Sequence, residues 1–336
     1  MSQPENFTAP LSADITPCDT LQKFLFENNP VRGELVDLSA CWQEVQERHN
    51  YPAEIQTMLG EMLVASTLLS ANLKFQGTII MQIHGDGAVK LLVAECSTAA
   101  NGAMKVRATA KLSEHTVLDP QAGMQALINA NGQGRFLITL DPDDKLPGQK
   151  PYQGIVPLDG EEISTVIENY MLRSEQLDTK LWLAANRQVA RGLLLQKLPS
   201  TGGVMARQDS ATEAERIERE NNMWQHAVAL GSTLKREEML STDIATLMRR
   251  LFWEEDLRVF EPQSVQFHCT CTREKVGSML KMLGVDEVGS ALAELGSLHV
   301  NCEFCGQAYT YDAVDCAQLF LADSSAAVQV QQDLKH

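Results

Sequence analysis

Positive charge, aromatic side chains and long apolar runs are all scarce in this 336-residue sequence. Lys and Arg number 28 against 44 Asp and Glu, a formal net charge of −16. A phosphate-binding surface on so acidic a chain needs a local basic stripe. Lys235-Arg236 and Arg249-Arg250 are only isolated pairs on acidic stretches, so no nucleic acid is expected as a partner. No run approaches the roughly eighteen apolar residues of a membrane span, so no membrane partner is expected either. The first residues lack the basic and apolar regions of a secretory signal, and the expected location is cytoplasmic. Gly132 and Gly134 lack a following Gly-Lys-Ser and read as a plain turn, not a phosphate loop. Asp141-Pro142-Asp143-Asp144 lacks the rest of a calcium loop and reads as a solvated turn. Global disorder is excluded, because an apolar fraction of 44% is ample for a packed core.

Along the chain, residues 1 to about 18 read as a loose leader. Leu21 to Glu27 is a short apolar segment and Val31 to Leu38 a strand. Ser39 is placed to cap a helix through Arg48, and a longer, almost uncharged helix after Pro52 carries Ile55, Leu59 and Leu63 at helical spacing. Such a helix should be buried. Strands are expected over Thr78–Ile83 and Ala88–Glu95, joined through His84-Gly85-Asp86-Gly87, and again over Met104–Ala110 and Arg135–Leu140. Leu158–Arg173 reads as a helix, Lys180–Ala185 as a strand, and Gly192–Gln196 as an apolar segment. Strands and helices mix without regular βαβ alternation, which favours an α+β N-terminal domain over residues 1–200.

The run Ser200–Ser210 marks a boundary. Beyond it a charged helix carries Ala214, Ile217, Trp224 and Val228 near heptad spacing, and a second spans about Thr242 to Glu254. Their apolar stripes are thin, so these helices need another surface to be stable. Residues 201–262 are therefore expected to be a helical linker whose apolar faces can be covered or uncovered. A small C-terminal domain is expected over 263–320, with helices near Arg273–Leu283 and Asp286–Leu295, a hairpin of Leu298–Val300 with Ala308–Tyr311, and a tail over 321–336. So small a module with few large apolar side chains needs a staple.

Cysteine provides it. Cys18, Cys41, Cys96 and Cys316 are scattered without ligand spacing and read as buried or incidental thiols. The other four form Cys269-x-Cys271, thirty residues, then Cys302-x-x-Cys305-Gly306. In a reducing compartment, clustered cysteines point to metal or redox chemistry rather than a disulfide framework. Four thiolates grouped two and two complete a tetrahedron around Zn²⁺, which leaves His268 and His299 as outer neighbours. Such a site is a structural staple or a switch. Two cysteines one residue apart can join only with local distortion, and strained disulfides are readily reduced again. Two further readings remain: a thiol–disulfide oxidoreductase acting through Cys302 and Cys305, and a zinc-ribbon nucleic-acid module, which the acidic surroundings disfavour.

The cysteine spacing resembles that of the heat-shock-protein-33 family, the redox-regulated bacterial holdase chaperones. Other segments share the likeness: Phe24-Leu25-Phe26-Glu27-Asn28, Val31-Arg32-Gly33-Glu34-Leu35-Val36, Leu73-Lys74-Phe75-x-Gly77, Gly85-Asp86-Gly87, Tyr170-Met171-x-Arg173-Ser174-Glu175-Gln176-Leu177, Gly192-x-Leu194-Leu195-Gln196 and Phe267-x-Cys269-x-Cys271-x-Arg273-Glu274. The resemblance covers roughly residues 20 to 320. It implies an α+β domain, a helical linker and a zinc domain, with one zinc per chain on Cys269, Cys271, Cys302 and Cys305 in a reduced, inactive form. It implies further that oxidation pairs Cys269 with Cys271 and Cys302 with Cys305, releases zinc and disorders the linker. The active form would be a homodimer that holds unfolding client proteins without ATP and is not an enzyme. The leader before Asp19 and the four scattered cysteines depart from the pattern, and Cys316 lies close enough in sequence to Cys305 to compete for it.

Overall fold

A computed structural model describes residues 19–27, 29–73, 76–99, 101–113, 118–119, 121–145, 150–199 and 213–321. The chain divides into two compact units between Phe267 and His268. The first unit runs β1 (Thr20–Phe26), β2 (Val31–Leu38), α1 (Ala40–Glu47), α2 (Ala53–Ser70), β3 (Gly77–His84), β4 (Val89–Thr98) and β5 (Met104–Leu112). It continues with α3 (Met124–Ile128), β6 (Arg135–Pro142), β7 (Tyr152–Pro157), α4 (Ile163–Ser174), β8 (Thr179–Ala185) and β9 (Ala190–Lys197). Three helices follow, α5 (Glu213–Gly231), α6 (Arg236–Ser241) and α7 (Ile244–Leu251), and then β10 (Leu257–Val259) and β11 (Gln263–Phe267).

Among the described residues these strands join in one sheet, ordered β7-β6-β3-β4-β5-β11-β1-β2-β9-β8, with β10 also on β1. Every pairing is antiparallel except β11 with β5. Helix α2 buries most of its length, including Ile55, Leu59, Leu63 and Leu68, against one face of the sheet. That explains its nearly uncharged sequence: a helix surrounded by core has no solvent face to make polar. Strands β2 and β9 are buried along most of their length on both faces, and this burial takes in the polar side chains of Glu34 and Gln196 as well as the apolar ones.

Helices α5 to α7 cover the opposite face. Trp224, Ala227, Leu234, Met239, Leu247, Leu251 and Phe252 close over Phe24, Phe26, Val31, Leu35, Leu193 and Leu195 of the sheet. The helices expected to need a surface lie on this one. Their approach is close: a Cβ on Gly231 would sit 2.6 Å from the Trp182 ring, so only glycine ends α5 there. Arg191 of β9 donates to the carbonyls of Met239, Leu240 and Thr242 and pairs with Asp37, anchoring the C-terminal end of α6 to the sheet.

Several expectations shift. Ser39 flanks α1, yet its side chain does not cap the helix. Asp19 does so instead, accepting from the N–H groups of Ser39, Ala40 and Cys41 at 2.6, 2.9 and 2.6 Å. Helix α4 begins at Ile163, not Leu158, because the Leu158 and Gly160 carbonyls accept from the Gln125 side chain and are held out of a helical ladder. Ile217 is 45% exposed, so the apolar stripe of α5 engages only from Trp224 onward. Residues 263–267 were expected to open the zinc module, but as β11 they pair with β1 and β5 of the large sheet. The expected leader, the Ser200–Ser210 boundary and Cys18 lie outside the described residues.

The second unit contains α8 (Arg273–Leu283), α9 (Val285–Leu295), the hairpin β12 (Leu298–Asn301) with β13 (Ala308–Tyr311), and a helix over 313–321, α10. Thr272 caps α8 by accepting from Lys275 N, and Gly296 ends α9 at φ 76°. Its core is thin: Leu280, Val288, Leu298, Tyr311 and Cys316.

Candidate metal centre

Local structure delivers each pair of sulfurs. Cys269 and Cys271 lie in the extended stretch just before the Thr272 cap. Cys302 and Cys305 lie in the turn between β12 and β13. There Gly306 N donates to Cys302 O at 2.8 Å, Cys302 N donates to Gln307 O at 2.9 Å, and Gly306 takes φ 69°, a conformation glycine adopts without steric cost. The turn thereby points both thiols to one side.

The four sulfurs gather within 4.8 Å of one another, all half-buried, and among the described residues they form the one group able to hold a metal ion. Cys269 Sγ lies 3.6 Å from Cys302 Sγ, and Cys271 Sγ lies 3.3 Å from Cys305 Sγ. A tetrahedral zinc at the usual bond length of about 2.3 Å sets its sulfurs about 3.8 Å apart, so the spacing and the all-sulfur donor set fit Zn²⁺. All four cysteines are free thiols. His299 hydrogen-bonds Ser297 and Thr310 and, like His268, stands outside the group.

Three thiols of the cluster are shifted in different directions. Burial raises Cys269, but hydrogen bonds from the Cys271 backbone and from the neighbouring thiols outweigh it and bring it down to about 7. Cys305 is pushed up to about 12, by burial first and then by its sulfur neighbours, and Cys302 is raised chiefly by burial. Charging one sulfur makes the next harder to charge, and a dication held by Cys269, Cys271, Cys302 and Cys305 would offset this by favouring their thiolate forms. The scattered thiols differ: burial pushes Cys96 up to about 12, raises Cys41 further and raises Cys316, as inert packed side chains should be.

Two supporting residues escaped the sequence reading. Tyr309 donates its hydroxyl to Cys271 Sγ at 3.2 Å. Arg273 donates to Thr310 O at 2.9 Å, pairs with Asp315 at 2.8 Å and lies 4.3 Å over the Tyr311 ring, tying the start of α8 to β13 and α10. Two-residue alternation in Ala308-Tyr309-Thr310-Tyr311 was the available signal, since Tyr309 follows the second cysteine pair closely. The oxidoreductase geometry is not present: Cys302 and Cys305 sit in a hairpin turn, not at a helix N-terminus that would activate a thiol. Residues 268–321 carry seven acidic against three basic side chains, which suits phosphate binding poorly.

Known proteins share this arrangement. The family model described as Hsp33 protein matches residues 19–312. A protein named 33 kDa chaperonin from Chromobacterium violaceum is 46% identical over 311 residues, covering 93% of this chain and 97% of its own. A 33 kDa chaperonin from Pseudomonas aeruginosa is 42% identical over 308 residues, covering 91% and 96%. The crystal structure of a 33 kDa chaperonin (heat shock protein 33 homolog) from Thermotoga maritima superposes with TM-score 0.71 at 20% identity, over 91% of this chain and 99% of that one, which shows a common fold. On these matches the chain belongs to the Hsp33 family, a family of chaperones and not of enzymes.

Proposed function

We propose that this protein is a redox-regulated, ATP-independent holdase, inactive while reduced and zinc-bound. The observation that carries the proposal is the four-sulfur cluster in a module whose own core is five side chains. Bound zinc supplies such a module with folding free energy on the order of 10–16 kcal/mol. Removing the sulfurs from that role removes the largest single term that keeps residues 268–321 folded.

Oxidation does this. Joining Cys269 to Cys271 and Cys302 to Cys305 withdraws two electrons per bond, so two peroxide molecules are reduced to water for each chain. The close sulfur contacts in the folded module run across the two pairs, but those contacts last only while the module is folded. Cysteines two or three residues apart stay close after it unfolds, which favours pairing within each motif. Cys269 follows Phe267 by two residues, and β11 is held by only a few register pairs to β1 and β5. Loss of the module frees this strand's C-terminal end, and with it the chain that leads back through β10 to α7. Release of α5 to α7 then exposes Phe24, Leu35, Leu193 and Leu195, an apolar surface suited to segments of unfolding client proteins. The activated form is a homodimer, and the site of action is the cytoplasm.

The test follows zinc release with a chromophoric chelator while reduced, zinc-loaded protein is treated with peroxide at mildly raised temperature. Light scattering of a thermally unfolding client is recorded on the same samples. Zinc release with undiminished client aggregation sinks the holdase reading. Retention of one zinc per chain after Cys269 and Cys271 are replaced by Ser sinks the ligand assignment.

A further inference from the structure

Strand β8 is one end of the sheet, and a sheet edge carries backbone groups that another chain can pair with. In β8 Leu181, Leu183 and Ala185 turn their backbone groups outward, and side chains take up three of these groups. Leu181 N–H donates to Glu168 Oε1 of α4 at 2.9 Å. The Arg236 guanidinium, on α6, reaches Leu183 O at 3.4 Å and Ala185 O at 3.1 Å, and pairs with Glu61 of α2 at 2.7 Å. Of these two caps, only Arg236 belongs to the helices that cover the sheet face.

We infer that β8 is a strand-pairing edge gated by Arg236, and that its occupant is an extended segment of a non-native polypeptide. The inference rests on the holdase reading, in which α5 to α7 leave the sheet. When α6 departs, the Leu183 and Ala185 carbonyls lose their donors while β9 still holds β8 in place. The same departure uncovers Trp182 and the apolar face beside it. An extended chain offers what this corner then lacks: N–H groups at two-residue spacing for the edge, and alternate side chains for the face. Folded proteins have few such segments free, and backbone pairing asks for no particular client sequence. A second copy of β8 is the poorer occupant, because Glu168 holds Leu181 N–H on both copies and leaves only the Leu183–Ala185 end of each edge open.

Leu183 N–H lies on the same outward side as Leu183 O, so Leu183→Pro removes a donor from the free edge without touching the ladder to β9. Leu183→Ala controls for the lost side chain. Fluorescein-labelled, reduced and carboxymethylated α-lactalbumin serves as a permanently unfolded client, and its affinity for each oxidised protein is read by anisotropy. Leu183→Pro should bind about tenfold more weakly than Leu183→Ala, with zinc release unchanged. The unsubstituted oxidised protein provides a second measurement that needs no variant: client binding should slow hydrogen exchange at the Leu183 and Ala185 amides about tenfold or more. Equal affinity of the two variants together with unchanged exchange overturns the edge assignment and leaves the holdase reading standing. Loss of self-association in Leu183→Pro at undiminished client affinity overturns it too, by making the occupant a second copy. Failure of the unsubstituted oxidised protein to bind the client overturns the holdase reading, and this inference with it.

Discussion

Stripping the metal from reduced protein should unfold residues 268–321 and leave the sheet of the first unit intact. The magnitude follows from the module's contents. Its five buried side chains, at 1.5–3 kcal/mol each, contribute about 7–15 kcal/mol from burial. Four thiolates on one zinc would contribute about 10–16 kcal/mol, comparable with the burial of those five side chains. The assay is peptide-level hydrogen exchange on protein held in excess reductant, before and after a strong chelator, so that no disulfide contributes. Peptides across α8, α9 and the β12–β13 hairpin should lose protection, and one equivalent of zinc should restore it. Peptides from β2 and β9, buried on both faces, serve as the internal control. Tryptophan emission gives an independent check on the first unit, because Trp42, Trp182, Trp224 and Trp253 all precede residue 268. Undiminished protection in the second unit after metal removal refutes the reasoning, since the thin core would then suffice by itself.

Asp19→Ala leaves the N–H groups of Ser39, Ala40 and Cys41 at the start of α1 without their acceptor and should lower stability by about 2 kcal/mol, read as a shift in urea midpoint. Trp224→Ala should cost the helical layer about 3–5 kcal/mol and let reduced, zinc-loaded protein suppress client aggregation without oxidant. If exchange shows the layer loosened while activity still requires oxidant, covering of the sheet face is not what holds the protein off. Glu34 is fully buried on β2, whose neighbours are β1 and β9, and burial raises its pKa to about 7 against the opposing pull of Arg32 and Lys23. Its folded form prefers the proton, so its contribution is full below about pH 4.5 and is lost as pH rises through 7, by up to about 3 kcal/mol. Glu34→Gln should remove that part of the pH slope in urea unfolding, and an unchanged slope would assign it elsewhere.

Elements whose cause is local were legible in the sequence. Val31–Leu38 and Arg273–Leu283 have the bounds expected from their residue patterns, because a strand run or a short amphipathic helix is decided within a few residues. Strand β11 was not legible. Val265 faces Met104 in parallel register, and nothing near Val265 in sequence announces a partner so distant. Strand β7 passed unnoticed because it is an edge strand ending in Pro157 with Tyr152 and Ile155 exposed, which blurs the alternation a buried strand shows. The Asp19 cap was missed for a related reason: the capping carboxylate comes from the residue just before β1, not from the cap position itself.

The metal centre divides the same way. The grouping of the four sulfurs was written in Cys269-x-Cys271 and Cys302-x-x-Cys305, because short-range pairs and a tight turn suffice to bring such side chains together. The sequence by itself therefore determined which four sulfurs gather, the α+β class and the need of the helices after residue 211 for a surface. Only the tertiary structure decided which surface that is, which side chains cap the β8 edge, and that Tyr309 supports Cys271. Short-range chemistry is carried by spacing along the chain, whereas coverage of one element by another depends on contacts between residues that spacing does not relate.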